Sequence, residues 1–124
     1  MNSYGKHNQS SEDYLESILT LLQTQSVVHR IDVAKRMGVS GAAVNKAMKI
    51  LAEKGYIYED GKHLYLTQTG KAYAEAVYER HCILRDFLAK LGVSPARAEE
   101  DACHMEHIVS DETFAAMKKY LENK

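Results

Sequence analysis

Apolar residues recur at helical spacing along most of this chain, and one short stretch breaks that rhythm. Leu15, Ile18, Leu21 and Leu22 mark a first helix that Ser10 or Ser11 caps and that ends near Gln25. Glu12 and Asp13 sit in its first turn, where the macrodipole favours acids. Ile31, Ala34 and Met37 predict a short second helix stopped by Gly38, and Val44, Ala47, Met48 and Leu51 stripe a third with Ser40 as N-cap. Tyr56 to Thr67, two runs rich in Tyr, Ile and Leu around Asp60-Gly61, reads as a β-hairpin. Thr67 or Thr69 opens a long helix to about Leu91, striped by Tyr73, Val77, Leu84, Phe87, Leu88 and Leu91 and widened by Ala76, Cys82 and Ile83. After Gly92, Ser94-Pro95 starts a fifth helix, and Ser110 caps a sixth whose apolar side is Phe114, Met117 and Leu121.

The elements predict a mainly α protein. A winged helix-turn-helix domain spans residues 10–70, the long helix joins it to an α-helical domain over residues 71–124, and residues 1–9 form a polar arm read as mobile. With 124 residues the chain has room for a core that needs no staples, and two cysteines, Cys82 and Cys103, are too few for a disulfide framework. There is no signal peptide or long apolar run, so a reducing cytoplasm is expected and a membrane is not.

The net charge of -1 conceals a division along the chain. Between Arg30 and Lys54 six basic residues face two acidic ones, whereas between Ala96 and Glu112 six acids face Arg97 alone. One segment suits a polyanion and the other a cation.

In the basic segment, the face of the third helix opposite its buried stripe carries Ala42, Asn45, Lys46 and Lys49. A short helix, a glycine turn and a second helix with small, amide and basic residues outward is a helix-turn-helix arrangement for double-stranded DNA. The amide reads a base edge, the lysines neutralise phosphates, and small residues near Ser40 let the backbone approach the groove. Arg30, and Lys62 at the hairpin tip, are further candidate DNA contacts. A plain helical hairpin with a solvated lysine face would show much of the same pattern.

In the acidic segment, EEDACHMEH places Cys103, Glu106 and His107 at i, i+3 and i+4, so a thiol, a carboxylate and an imidazole leave one helical face. These are transition-metal ligands, and Glu99 lies one turn earlier. Asp13 and Glu16, three apart, share a face of the first helix, and His81 shares one with Val77, Leu84 and Leu88. Read alone, the acids are a surface pair and the histidine a satisfied core residue.

Four segments in order, SEDYLESI, the winged helix, AVYERHCILRDFL and EEDACHMEHIVSDE, resemble the metal-dependent repressors typified by the diphtheria toxin and manganese transport repressors, from Ser11 to about Leu121. The resemblance implies a homodimer that binds operator DNA when a divalent metal is held by Asp13, Glu16, His81, Cys103, Glu106 and His107, with residues 71–124 as metal-binding and dimerisation domain. It also implies the short architecture without the SH3-like domain of longer members.

This chain is a hybrid within that family. The manganese branch usually has a carboxylate at the position of Cys103, and the iron branch has a methionine at that of Asp13. Thiolate draws preference toward Fe²⁺, Co²⁺ or Zn²⁺, whereas Asp13 and Glu16 offer hard oxygens for Mn²⁺. Arg85 stands where the iron branch's ancillary site has a carboxylate, which leaves a weaker second site of Glu99, Cys103 and His81.

The expected function is metal-responsive repression of metal-uptake genes under Mn²⁺ or Fe²⁺, with Zn²⁺ and Co²⁺ as surrogates and no catalysis. The alternative is a winged-helix regulator answering to a protein or small molecule, with a structural or vestigial metal site. A metalloenzyme using Cys103 as nucleophile beside His107 is disfavoured, because six protein ligands leave little room for substrate.

Overall fold

The computed structural model describes residues 9–123, so the expected arm over residues 1–9 lies almost wholly outside the described part. The element order is α1 (Gln9–Thr24), α2 (Arg30–Met37), α3 (Gly41–Glu53), β1 (Ile57–Asp60), β2 (His63–Leu66), α4 (Gln68–Lys90), α5 (Pro95–Met105) and α6 (Asp111–Glu122). The chain divides into two compact units, Ser10–Glu75 and the residues from Ala76 onward.

In the first unit, Leu15, Ile18 and Leu21 of α1, Val33 of α2, Val44, Met48 and Leu51 of α3, and Ile57 and Leu64 of the hairpin close one apolar core. Gly38 ends α2 at φ 68 with its N–H on Ala34 O, and the Ser40 hydroxyl accepts from the Ala43 N–H, which starts α3. The hairpin pairs Ile57 with Leu66 and Asp60 with His63. Its turn is therefore Gly61-Lys62, one residue beyond the expected Asp60-Gly61, with Gly61 alone at positive φ there. On the outer side of β2, the Leu64 N–H donates to Val28 O at 2.8 Å and ties the wing to the segment entering α2.

Three local expectations shift. α1 starts at Gln9, so Ser10 and Ser11 lie in its first turn rather than capping it, where N–H groups have no intrahelical partner in any case. Ile31 is 59% exposed while Val33 is fully buried, because residues two apart lie about 200° round a helix and the core faces Val33. In α4 the buried seam is Ala74, Val77, His81 and Leu84, which leaves Ala76 and Leu91 exposed.

The start of α4 is pinned to the end of α3. The Thr67 hydroxyl accepts from the Gly70 N–H and donates to Gly55 O, and the Thr67 N–H donates to Tyr56 O. Between the two expected caps, Thr67 takes the role. Tyr73 on α4 donates its hydroxyl to Glu12 on α1 at 2.9 Å, and burial followed by that bond raises the phenol's pKa.

In the second unit, Val77 and Leu84 of α4 and Ala98 and Ala102 of α5 are buried. Ser110 caps α6 by accepting from the Thr113 N–H. Phe114, Met117 and Leu121 are only half-buried, and α6 has no fully buried residue. Edge contact between Tyr120 and Phe87 and an ion pair from Lys118 to Glu79 at 2.9 Å hold α6 on α4.

Candidate metal centre

The sequence places Cys103, Glu106 and His107 on one helix, but α5 ends at Met105. Glu106 keeps helical dihedrals, with its N–H on Ala102 O, and the next N–H, from His107, reaches only three residues back to His104 O at 3.3 Å. The last turn therefore tightens, and Glu106 and His107 leave it with both side chains almost fully buried.

Arg80 holds this turn, a role that sequence reasoning missed. Its Nε donates to Glu106 O at 3.0 Å, Nη2 to Val109 O at 2.5 Å, and Nη1 meets Asp111 at 3.3 Å, with the guanidinium over the Phe114 ring. One planar fork thus donates to two carbonyls of the turn that follows α5. Its place next to His81 on α4 is the signal that could have found it.

His81 is the hub. Its Nδ1 lies 2.8 Å from Glu106 Oε1 and its Nε2 2.7 Å from Glu99 Oε2, while Cys103 Sγ lies 3.8 Å from Nδ1. Glu106 Oε2 is in turn 3.4 Å from His107 Nε2. The Glu106 hydrogen bond raises the His81 pKa, burial opposes it, and the charges of Glu106 and Glu99 add to the rise. A metal taking one of these ring nitrogens would compete with a proton there.

Ligand atoms of His81, Glu99 and Cys103 lie within 4.8 Å of one another. Two ligands at about 2.0–2.3 Å from one ion are at most about 4.6 Å apart, so small side-chain shifts suffice to close the group on a metal. Imidazole, thiol and carboxylate are the donors a first-row transition ion takes. Arg85 Nη1 stands 3.9 Å from Glu99 Oε1, and a guanidinium so close opposes a second cation on the Glu99 side.

The structure brings together, within the second unit, five of the seven residues expected at a metal: His81, Glu99, Cys103, Glu106 and His107. The other two, Asp13 and Glu16, lie three apart on α1 in the first unit, both half-buried.

Among the expected DNA contacts, Ser40, Ala42, Asn45, Lys46 and Lys49 are exposed on or just before α3, and Lys62 is exposed in the hairpin turn. Arg30 is half-buried and its side chain is engaged with Glu59 and Asn45. If Lys46 neutralises a phosphate, Lys46→Ala will weaken binding to all duplexes alike and reduce the slope of log affinity against log salt by about one. A change in preference at one base pair with an unchanged slope would show a base contact instead.

Comparison with known proteins identifies the family of the two halves of the chain. Residues 7–64 match the N-terminal DNA binding domain of the iron dependent repressors, and residues 67–124 match their metal binding and dimerisation domain. The transcriptional regulator MntR of Escherichia coli O6:H1 is 39% identical over 112 residues, which cover 90% of this chain and 72% of that protein. An uncharacterized HTH-type transcriptional regulator of Methanocaldococcus jannaschii is 33% identical and covers 93% of this chain and 94% of its own. Among solved structures, a manganese-dependent transcriptional repressor in complex with manganese superposes with a TM-score of 0.83 at 32% identity, over 92% of this chain and 53% of its own. The repressor ScaR with bound Zn²⁺ gives 0.79 at 29% identity, over 92% and 54%. The chain thus spans about half the length of these solved relatives. With both halves of the sequence matched in order, the chain belongs to the iron-dependent repressor family.

Proposed function

We propose that this protein is a metal-activated repressor that binds operator DNA as a homodimer in the cytoplasm and controls metal-uptake genes. The buried cluster of His81, Glu106 and His107 beside Cys103 carries the reading: two imidazoles and a carboxylate in the interior suit a cation better than a core. By the family resemblance, Asp13 and Glu16 complete the ligand set. A divalent ion bound there would supply positive charge to the Glu99 and Glu106 carboxylates that flank His81.

Each residue type has a task in this scheme. Glu99 orients His81 through Nε2, which leaves Nδ1 on the side of Glu106, and Arg80 fixes the turn from which Glu106 and His107 project. α3 presents Asn45, Lys46 and Lys49 to the major groove, with Lys62 of the wing near the backbone. The DNA-competent geometry depends on the ion, and weaker binding without it reflects the smaller competent fraction.

The dimer reading rests on the second unit. A cleft of about 530 Å³ between the end of α4 and α6 is lined by Phe87, Leu91, Met117 and Tyr120, with Leu91 61% and Tyr120 52% exposed. An apolar face of this kind, on a domain of the dimerisation type, fits a second copy of the chain.

Arg85 beside Glu99 disfavours a second ion on that side, and Mn²⁺ and Fe²⁺ are the physiological candidates with Zn²⁺ or Co²⁺ as surrogates. The deciding experiment titrates Mn²⁺, Fe²⁺ and Zn²⁺ into the purified chain while following operator binding by fluorescence anisotropy. At least one metal should raise DNA affinity about tenfold or more, and chelation should reverse it. Affinity indifferent to all three would overturn the sensor reading and favour a regulator that answers to a protein or small molecule.

A further inference from the structure

One polar cluster in the first unit plays no part in metal binding. Arg30, the first residue of α2, donates Nε to Glu59 Oε2 at 2.8 Å and Nη2 to Glu59 Oε1 at 2.5 Å, a two-pronged pair with a carboxylate on the wing strand β1. Its remaining arm, Nη1, donates to Asn45 Oδ1 at 2.9 Å on the outward face of α3. The wing, the helix-turn-helix scaffold and the DNA-reading helix are thereby joined through one guanidinium.

The chemistry of that contact decides how Asn45 is turned. A guanidinium only donates, so the amide atom facing it is the carbonyl oxygen, and the amino group points away. A free asparagine reads adenine with both ends at once, accepting from N6 and donating to N7. Here the accepting end is committed, and its second lone pair lies beside a full positive charge. An incoming adenine amino group would set its own donor against the guanidinium.

We propose that Arg30, held by Glu59, is a specificity-determining residue that makes Asn45 a donor-only reader of the major groove. Guanine, with acceptors at O6 and N7, and thymine, with O4, are the bases this arrangement selects. The proposal rests on α3 being the helix that enters the groove. The charged state of the pair is consistent with it, since the hydrogen bond between them raises the Arg30 pKa and lowers that of Glu59.

The test is selection from randomised duplexes with the Mn²⁺-loaded full chain, comparing the wild type with Asn45→Ala, Arg30→Ala and Glu59→Gln, and circular dichroism to establish that each variant is folded. The wild type should prefer guanine or thymine at one position of each half-site, and Asn45→Ala should lose that preference. Arg30→Ala frees the amide oxygen and should move the preference at that position toward adenine by about tenfold, the gain expected from one bidentate pair. Glu59→Gln, which loosens the guanidinium but keeps its shape, should shift it the same way by less.

If Arg30→Ala weakens all sequences equally while Asn45→Ala still erases one preference, the proposal is overturned and α3 remains the reading helix. If Asn45→Ala changes preference nowhere, Asn45 reads no base and the proposal falls with it.

Discussion

Glu106→Gln should abolish the response to metal at concentrations that saturate the wild type, with the fold retained. The side chain is 1% exposed, pairs with His81 Nδ1 at 2.8 Å and lies beside His107, so it sits at the centre of the proposed ligand cluster. Glutamine keeps its volume and can still accept from the imidazole, which protects the packing. It removes the negative charge, and a neutral amide oxygen is a poor partner for a divalent ion. Residues that merely support ligands cost about 10–100-fold when mutated, so a direct ligand should cost at least about 100-fold in the Mn²⁺ concentration for half-maximal operator binding. That factor corresponds to about 2.7 kcal/mol of coupling. Wild-type metal sensitivity in this variant would remove Glu106 from the site, and a collapse of helix content would show that the carboxylate is chiefly structural.

The second large effect is on stability. Gly70 has ordinary helical backbone, but a Cβ there would stand 1.8 Å from Tyr56 O, little more than half a van der Waals separation. That carbonyl is itself held by the Thr67 N–H, so neither side can yield without loosening the junction between α3, the hairpin and α4. Gly70→Ala should destabilise the chain by about 3 kcal/mol, combining overpacking with a lost hydrogen bond, even though alanine is the better helix former. Urea unfolding checks it against Gln68→Ala, an exposed substitution in the same turn expected within about 0.5 kcal/mol of wild type. A stable Gly70→Ala protein would mean that the approach of α4 to Tyr56 is looser than described.

Both predictions turn on contacts between residues far apart in the chain, and this separates what was legible in the sequence from what was not. Helix spacing, glycine stops and serine caps are local, so α2, α3 and the hairpin could be placed to within a residue or two, as Gly38 at φ 68 and the Ser40 cap illustrate. The candidate metal residue types could be picked out for the same reason: CxxEH is a local spacing.

Periodicity could not tell which side of a weakly amphipathic helix is covered. Ile31 and Val33 are equally apolar, and only the core of the first unit selects Val33. Arg80 and Arg30 look like surface charges in the sequence, because the carbonyls and carboxylates they hold come from residues about 26–31 and 29 positions away. Gly70 carries no turn signature, because its requirement comes from Tyr56 rather than from its own dihedrals.

The sequence by itself determined the order of elements, the basic and amide character of the exposed face of α3 and the clustering of thiol, carboxylate and imidazole near residues 99–107, since each is written in spacings of a few residues. Only the tertiary structure decided that His81 bridges Glu99 and Glu106, that the last turn of α5 tightens under Arg80, and that Arg30 turns the Asn45 amide. The reason is that a side chain's partner is chosen by which elements pack together, and packing joins residues that no local pattern relates.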